Sequence, residues 1–115
     1  AASLPTGMRF LLVDDNDVWS RFLAQVLVEA RNTVVRAVGG EINYANFDVI
    51  IVDEVLHDAD SVALLKGIAK AGAAGKTLVV ASSVRVERMM DLLRCGVRDV
   101  VLKPYTRGAL ADKLR

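Results

Sequence analysis

The sequence predicts an α/β fold built on a parallel sheet. Short apolar runs recur at residues 9–13, 33–38, 48–53, 77–81 and 99–102, separated mostly by amphipathic stretches flanked by capping residues. Several runs are apolar at consecutive rather than alternate positions, as strands buried on both faces must be. Strands that alternate with helices in this way form a sheet covered on both faces, with right-handed crossovers. In such folds ligands sit at the carboxyl ends of the strands.

The first run, RFLLV, stops at Asp14-Asp15, and Asp17 is placed to cap the helix that follows. There Trp19, Phe22, Leu23, Val26, Leu27 and Ala30 recur at the spacing of one helical face, and Asn32 stops the helix. The second run is β-branched and breaks at Gly39-Gly40. Residues 41–47 allow about two helical turns at most. After the third run, Asp60 caps a helix through Ala71 that offers Val62, Leu64, Leu65 and Ile68 to the core. After the fourth, Ser83 caps a helix reaching about to Cys95, which Gly96 ends. Pro104 follows the fifth run, and a last helix starts near Thr106.

A chain of 115 residues, 53% of them hydrophobic, suits one domain with one core. No apolar run approaches the roughly 18 residues of a membrane span. Residues 1–7 lack the basic start and apolar stretch of a signal peptide. They read as a linker or leader, with 8–115 as the domain. The one cysteine, Cys95, offers neither a disulfide nor a zinc pattern, so a cytoplasmic setting is expected. Residues 1–65 carry 4 basic and 10 acidic side chains, and residues 66–115 carry 11 and 4. An acidic half suits a cation and a basic half an acidic partner, although solvated surface accounts for most of these charges.

Asp14 and Asp15 end the first strand, Asp53 the third, Ser82 the fourth and Lys103 the fifth. Three crowded carboxylates repel, which raises their pKa values unless a cation intervenes. Mg2+ takes hard oxygen ligands, among them one or two carboxylates and a phosphoryl oxygen. A carboxylate can also act as a nucleophile toward phosphorus. Mg2+, an ammonium and a hydroxyl can each stabilise one phosphoryl oxygen. Singly, each of these residues has an ordinary role as turn, cap or surface side chain. Together, at four strand ends of five, they point to phosphoryl transfer onto a carboxylate.

Val13-Asp14-Asp15-Asn16, Asp53, Ala81-Ser82-Ser83 and Leu102-Lys103-Pro104-Tyr105, at these separations, resemble the receiver domains of two-component response regulators. The likeness runs from Arg9 to the C-terminus. It implies a flavodoxin-like doubly wound sheet of order 2-1-3-4-5 and a phosphorylation-dependent signalling switch. It implies Asp53 as phosphoacceptor, Asp15 as a direct Mg2+ ligand, Asp14 as a carboxylate reaching the ion mostly through water, and the Val55 backbone carbonyl as a further ligand. Ser82 matches the hydroxyl that contacts a phosphoryl oxygen, and Lys103 the phosphoryl-binding lysine. The Lys103–Pro104 bond is expected to be cis. The implied phosphodonor is a histidine kinase or a phosphotransfer protein. Such a domain assists its own phosphotransfer and hydrolysis and turns over no separate metabolite.

Several positions depart from the family pattern. After Asp53, Glu54 adds negative charge, His57 replaces the usual proline and Ser61 the usual glycine, while Asp60 is kept. Val100 stands where receivers usually carry Tyr or Phe, a ring that changes position on activation. The segment between the second and third strands is several residues shorter than usual, so the second helix is expected to be stunted. The fifth helix ends early, at Arg115, so the domain is expected to be excised from a longer protein. These departures keep a second reading open, a receiver-like protein-interaction module that works without phosphorylation. A flavodoxin-like cofactor binder is a third, but Asp14-Asp15 would repel a phosphate there.

Gly75-Lys76-Thr77 lacks the first glycine of a phosphate-binding P-loop, Lys70 standing in its place, and precedes a strand instead of following one. His57, the sole histidine, reads as a surface residue near the pocket. Cys95 reads as a small helix-end residue. Trp19 reads as a core residue close enough to Asp15 to report metal binding. Arg85, Arg88, Arg94, Arg98 and Arg107 interleave with Glu87, Asp91, Asp99 and Asp112. That mixture argues against direct nucleic-acid binding and suits a protein partner on the 84–115 face, either an output domain or a second copy.

Overall fold

The computed structural model describes residues 3–14, 18–37, 42–53, 61–81, 90–91 and 93–114. In chain order these form β1 (Arg9–Val13), α1 (Val18–Glu29), β2 (Thr33–Ala37), a 3-10 turn at Tyr44–Asn46 and β3 (Val49–Asp53). Then come α2 (Ser61–Lys70), a 3-10 turn at Ala74–Lys76, β4 (Thr77–Ala81), β5 (Asp99–Leu102) and α3 (Arg107–Lys113). The strands pair in parallel as one five-stranded sheet of order β2-β1-β3-β4-β5, the doubly wound order expected. Every residue of β3 and β4 is buried, which is why Val49–Val52 and Leu78–Ala81 are unbroken apolar runs. Met90, Asp91, Leu93 and Arg94 are helical and turn at Gly96, whose φ of 86° only glycine adopts freely. The expected caps Asp17, Asp60 and Ser83 lie outside the described residues.

Strand parity sorts the core into two layers. Phe10, Leu12, Val49, Ile51, Val80 and Val101 pack beneath Leu23 and Leu27 of α1 and Leu110 of α3. Leu11, Val13, Ile50, Val52, Val79 and Val100 point the other way, toward Leu65 and Ile68 of α2. The inward face of α1 differs from the expected stripe. It buries Ser20, Leu23, Val26 and Leu27, while Phe22 is 43% exposed. Trp19 packs on Tyr105 at the rim, with ring centroids 5.3 Å apart, and Phe22 meets the other side of Trp19 edge-on.

The short second crossover holds its shape with one 3-10 turn and two cations. Lys76 Nζ donates to the carbonyls of Tyr44 (2.8 Å) and Phe47 (2.7 Å). The Arg9 backbone N–H donates to the Asp48 carboxylate at 2.8 Å, and the Arg9 guanidinium lies over the Phe47 ring. At the far end of α1, Asn32 N–H donates to Leu27 O and Arg31 N–H to Val28 O, the bonding of a Schellman stop. Arg31 takes the left-handed position with φ 68°. The buried Asn32 amide donates to Pro5 O and Leu27 O and accepts from Met8 N–H, tying the start of the chain to the end of α1.

Two substitutions at this helix end should act in opposite directions. Asn32→Ala is expected to cost about 1–3 kcal/mol, because the part-buried Met8 N–H and Pro5 carbonyl lose their partner, while Leu27 O keeps the backbone N–H of residue 32. Arg31→Gly is expected to add about 1 kcal/mol by relieving a left-handed backbone. Urea midpoints at unchanged m-value measure both.

Candidate functional site

Parity also places three charged residues on one face. Leu12 and Asp14, Ile51 and Asp53, and Val101 and Lys103 are each two residues apart. Each charged side chain therefore continues the first core layer past its apolar neighbour. The β1–β3 register pairs Val13 with Val52, so Asp14 and Asp53 follow as neighbours on adjacent strands. Both are buried. Beyond the last residues of β1 and β5, backbone hydrogen bonds still hold the chain. Asp14 N–H donates to Ala37 O at 3.2 Å, and Lys103 N–H to Ala81 O at 2.7 Å.

Each carboxylate meets a cation. Lys103 Nζ reaches past β4 to lie 3.1 Å from Asp53 Oδ2, and both side chains are less than a tenth exposed. Burial of both partners makes this contact far more costly to break from one side than a surface pair. On the other flank, Arg36 Nη2 lies 3.3 Å from Asp14 Oδ1 and donates to Ser20 Oγ at 2.7 Å. Arg36 is the register partner of Leu12, so its side chain shares the face of the three charged groups. A cavity of ≈ 20 Å3 lies among Asp14, Ser20, Asp53 and Lys103, with Trp19 and Tyr105 in its wall. Beside it, Val18, Trp19, Phe22 and Tyr105 line an open groove of ≈ 320 Å3, and Val18 is 79% exposed.

The Lys103–Pro104 bond is cis, as the resemblance implies. Tyr105 follows, and Thr106 Oγ1 then accepts from Ala109 N–H at 3.0 Å to cap α3. The structure thus brings Asp14, Asp53 and Lys103 together. Asp15, Ser82 and Val55 lie outside the described residues, as do Glu54 and His57. Val100 is buried on the opposite face of the sheet, in the layer of Val79 and Val97. Two members of the cluster, Arg36 and Ser20, were missed by the sequence reading. Their signals were a lone charge in a β-branched run and a serine three residues before Leu23.

The donor set fits a hard divalent cation. It offers carboxylate oxygens from adjacent strands, crowded in a way that bound positive charge relieves. A buried carboxylate with an ammonium at hydrogen-bonding distance can also take an electrophile and keep its new charge neutralised.

The family model described as the response regulator receiver domain matches residues 10–115. The chain is 26% identical over 113 residues to Protein RcaC of Microchaete diplosiphon, and 28% identical over 112 residues to transcription factor prr1 of Schizosaccharomyces pombe. Those matches cover 94% and 93% of this chain but 17% and 21% of the two proteins, so the chain spans only a small part of these relatives. It also superposes on the crystal structure of a response regulator from Burkholderia pseudomallei with a phosphorylated aspartic acid, calcium ion and citrate. There the TM-score is 0.79 at 21% identity, over 94% of this chain and 66% of that one.

Lys103→Met is expected to destabilise the fold more than Lys103→Met combined with Asp53→Asn. The single change leaves a buried charge with its main counter-ion gone. A double-mutant cycle on urea midpoints should give a coupling of about 1–3 kcal/mol.

Proposed function

Since the chain belongs to the receiver-domain family of response regulators, whose general role is phosphorylation-dependent signalling, we propose that Asp53 accepts a phosphoryl group with Mg2+ bound beside it. The donor is the phosphohistidine of a histidine kinase or phosphotransfer protein. The supporting observation is the buried Asp53–Lys103 pair at 3.1 Å, beside the carboxylate of Asp14. An oxygen of Asp53 forms the new P–O bond as the donor's P–N bond breaks, and the leaving imidazole takes up a proton. Lys103 passes from a carboxylate oxygen to a phosphoryl oxygen, and the Ser82 hydroxyl takes another. Asp14, Asp15, Asp53 and the Val55 carbonyl would hold the metal, which would supply charge stabilisation to the phosphoryl oxygens. The domain's own chemistry ends with hydrolysis of its aspartyl phosphate.

Two surfaces support partners for this reaction. Val18 and Phe22 expose apolar surface beside the cavity, where a donor must dock to bring its histidine within reach of Asp53. Met90, Leu93 and Leu102, each about half exposed, lie within the 84–115 segment and suit an output domain or a second copy. Among the described residues no helix is long and apolar enough to cross a membrane. We place the domain in the cytoplasm with its donor. A second reading, an interaction module that works without phosphorylation, draws support from Val100, which fills its buried position with a small side chain.

Incubation with acetyl phosphate and Mg2+ should raise the intact mass by about 80 Da. Asp53→Asn and EDTA should each abolish the gain. Undiminished labelling of Asp53→Asn would sink the assignment. No labelling, together with unchanged amide spectra in beryllium fluoride, would favour the second reading.

A further inference from the structure

We propose that Arg36 is a built-in competitor of the divalent cation, and that its guanidinium sets how much Mg2+ the resting site needs before it fills. The proposal rests on the Mg2+-dependent phosphoacceptor reading and adds a regulatory residue to it. Three elements converge on the contact: Asp14 follows β1, Arg36 sits in β2 and Ser20 in α1. The Asp14 side chain is 6% exposed, whereas that of Arg36 is 33% exposed and enters from the edge of the sheet. The Arg36 side chain therefore borders water far more than the Asp14 carboxylate does.

The two distances show how the cation is held. Nη2 lies 2.7 Å from Ser20 Oγ but 3.3 Å from Asp14 Oδ1. A tight guanidinium–carboxylate bond runs closer to 2.8 Å. Ser20 thus keeps the charge beside Asp14 without locking it there, and the pair can open when a stronger cation arrives. A divalent ion that uses the Asp14 carboxylate must either displace the guanidinium or bind against its charge, and both weaken binding. Coupling is reciprocal, so bound metal loosens Arg36 from Asp14 by the same factor by which Arg36 weakens the metal.

The test is Mg2+ titration of the full chain by calorimetry, with Trp19 fluorescence as a second readout. Arg36→Met, which keeps the length and removes the charge, should bind Mg2+ about tenfold more tightly than the unaltered protein. Arg36→Lys, which keeps a charge, should stay close to the unaltered value. Ser20→Ala, which removes a 2.7 Å hydrogen bond of the guanidinium's Nη2, should shift affinity in the direction of Arg36→Met by less, and it serves if that variant fails to fold. Unchanged or weaker Mg2+ binding in both Arg36→Met and Ser20→Ala overturns the proposal. Acetyl phosphate labelling at saturating Mg2+ reports the acceptor reading separately. Tighter binding with neither a label nor an amide-spectral response to beryllium fluoride leaves the competition standing and sinks the acceptor, and a normal label without tighter binding does the reverse.

Discussion

Two carboxylates buried side by side on one face of the sheet set the terms for everything around them. A buried charge is tolerated only when it is opposed and hydrogen-bonded. Asp14 directly follows β1 and Asp53 ends β3, inner strands that the core encloses. The opposing cations come from the two edge strands, Arg36 from β2 and Lys103 from just beyond β5. An edge strand borders solvent, so it can carry a long cationic side chain whose stem lies along the sheet and whose head turns inward. The order 2-1-3-4-5 therefore does more than pack a core. It brackets two acids with two bases.

The same alternation separates the site from Val100. Lys103 and Val101 lie on the α1–α3 face, whereas Val100 packs toward α2 with Val79 and Val97. No aromatic ring at position 100 can swing here. The mechanical connections of Lys103 run instead through its backbone bond to Ala81 and onward to Tyr105 and the Thr106 cap of α3. Tyr105, two residues after Lys103, packs against Trp19 at the same rim where Val18 and Phe22 are exposed.

The strands were legible because burial on both faces forces unbroken apolar runs, and β1, β4 and β5 begin and end where those runs do. Asp14, Asp53 and Lys103 were legible because they interrupt such runs at the strand ends. Periodicity alone misplaced Phe22, since one edge-on ring contact outweighed the burial of a single side chain. Lys76 drew notice inside a triplet resembling a phosphate loop, yet its ammonium closes two backbone carbonyls of the short crossover. Arg36 was illegible for a deeper reason. Its importance depends on which residue of β1 lies opposite, and the β1–β2 register is a property of the folded sheet.

If Asp15 and a divalent ion join the cluster as proposed, charge counting gives a reason for an extra cation beside them. Take Asp14, Asp15 and Asp53 as ionised, and Arg36 and Lys103 as charged. The resting cluster then carries one net negative charge, and a divalent ion turns it to one net positive. Without Arg36 the same ion would bring the cluster to neutrality, which favours the metal more. Phosphorylation replaces the Asp53 charge by about −2. With Mg2+, Arg36 and Lys103 all present, the phosphorylated cluster is neutral, whereas without Arg36 it would keep one negative charge. On this reading Arg36 weakens the metal in the resting site and balances charge in the phosphorylated one.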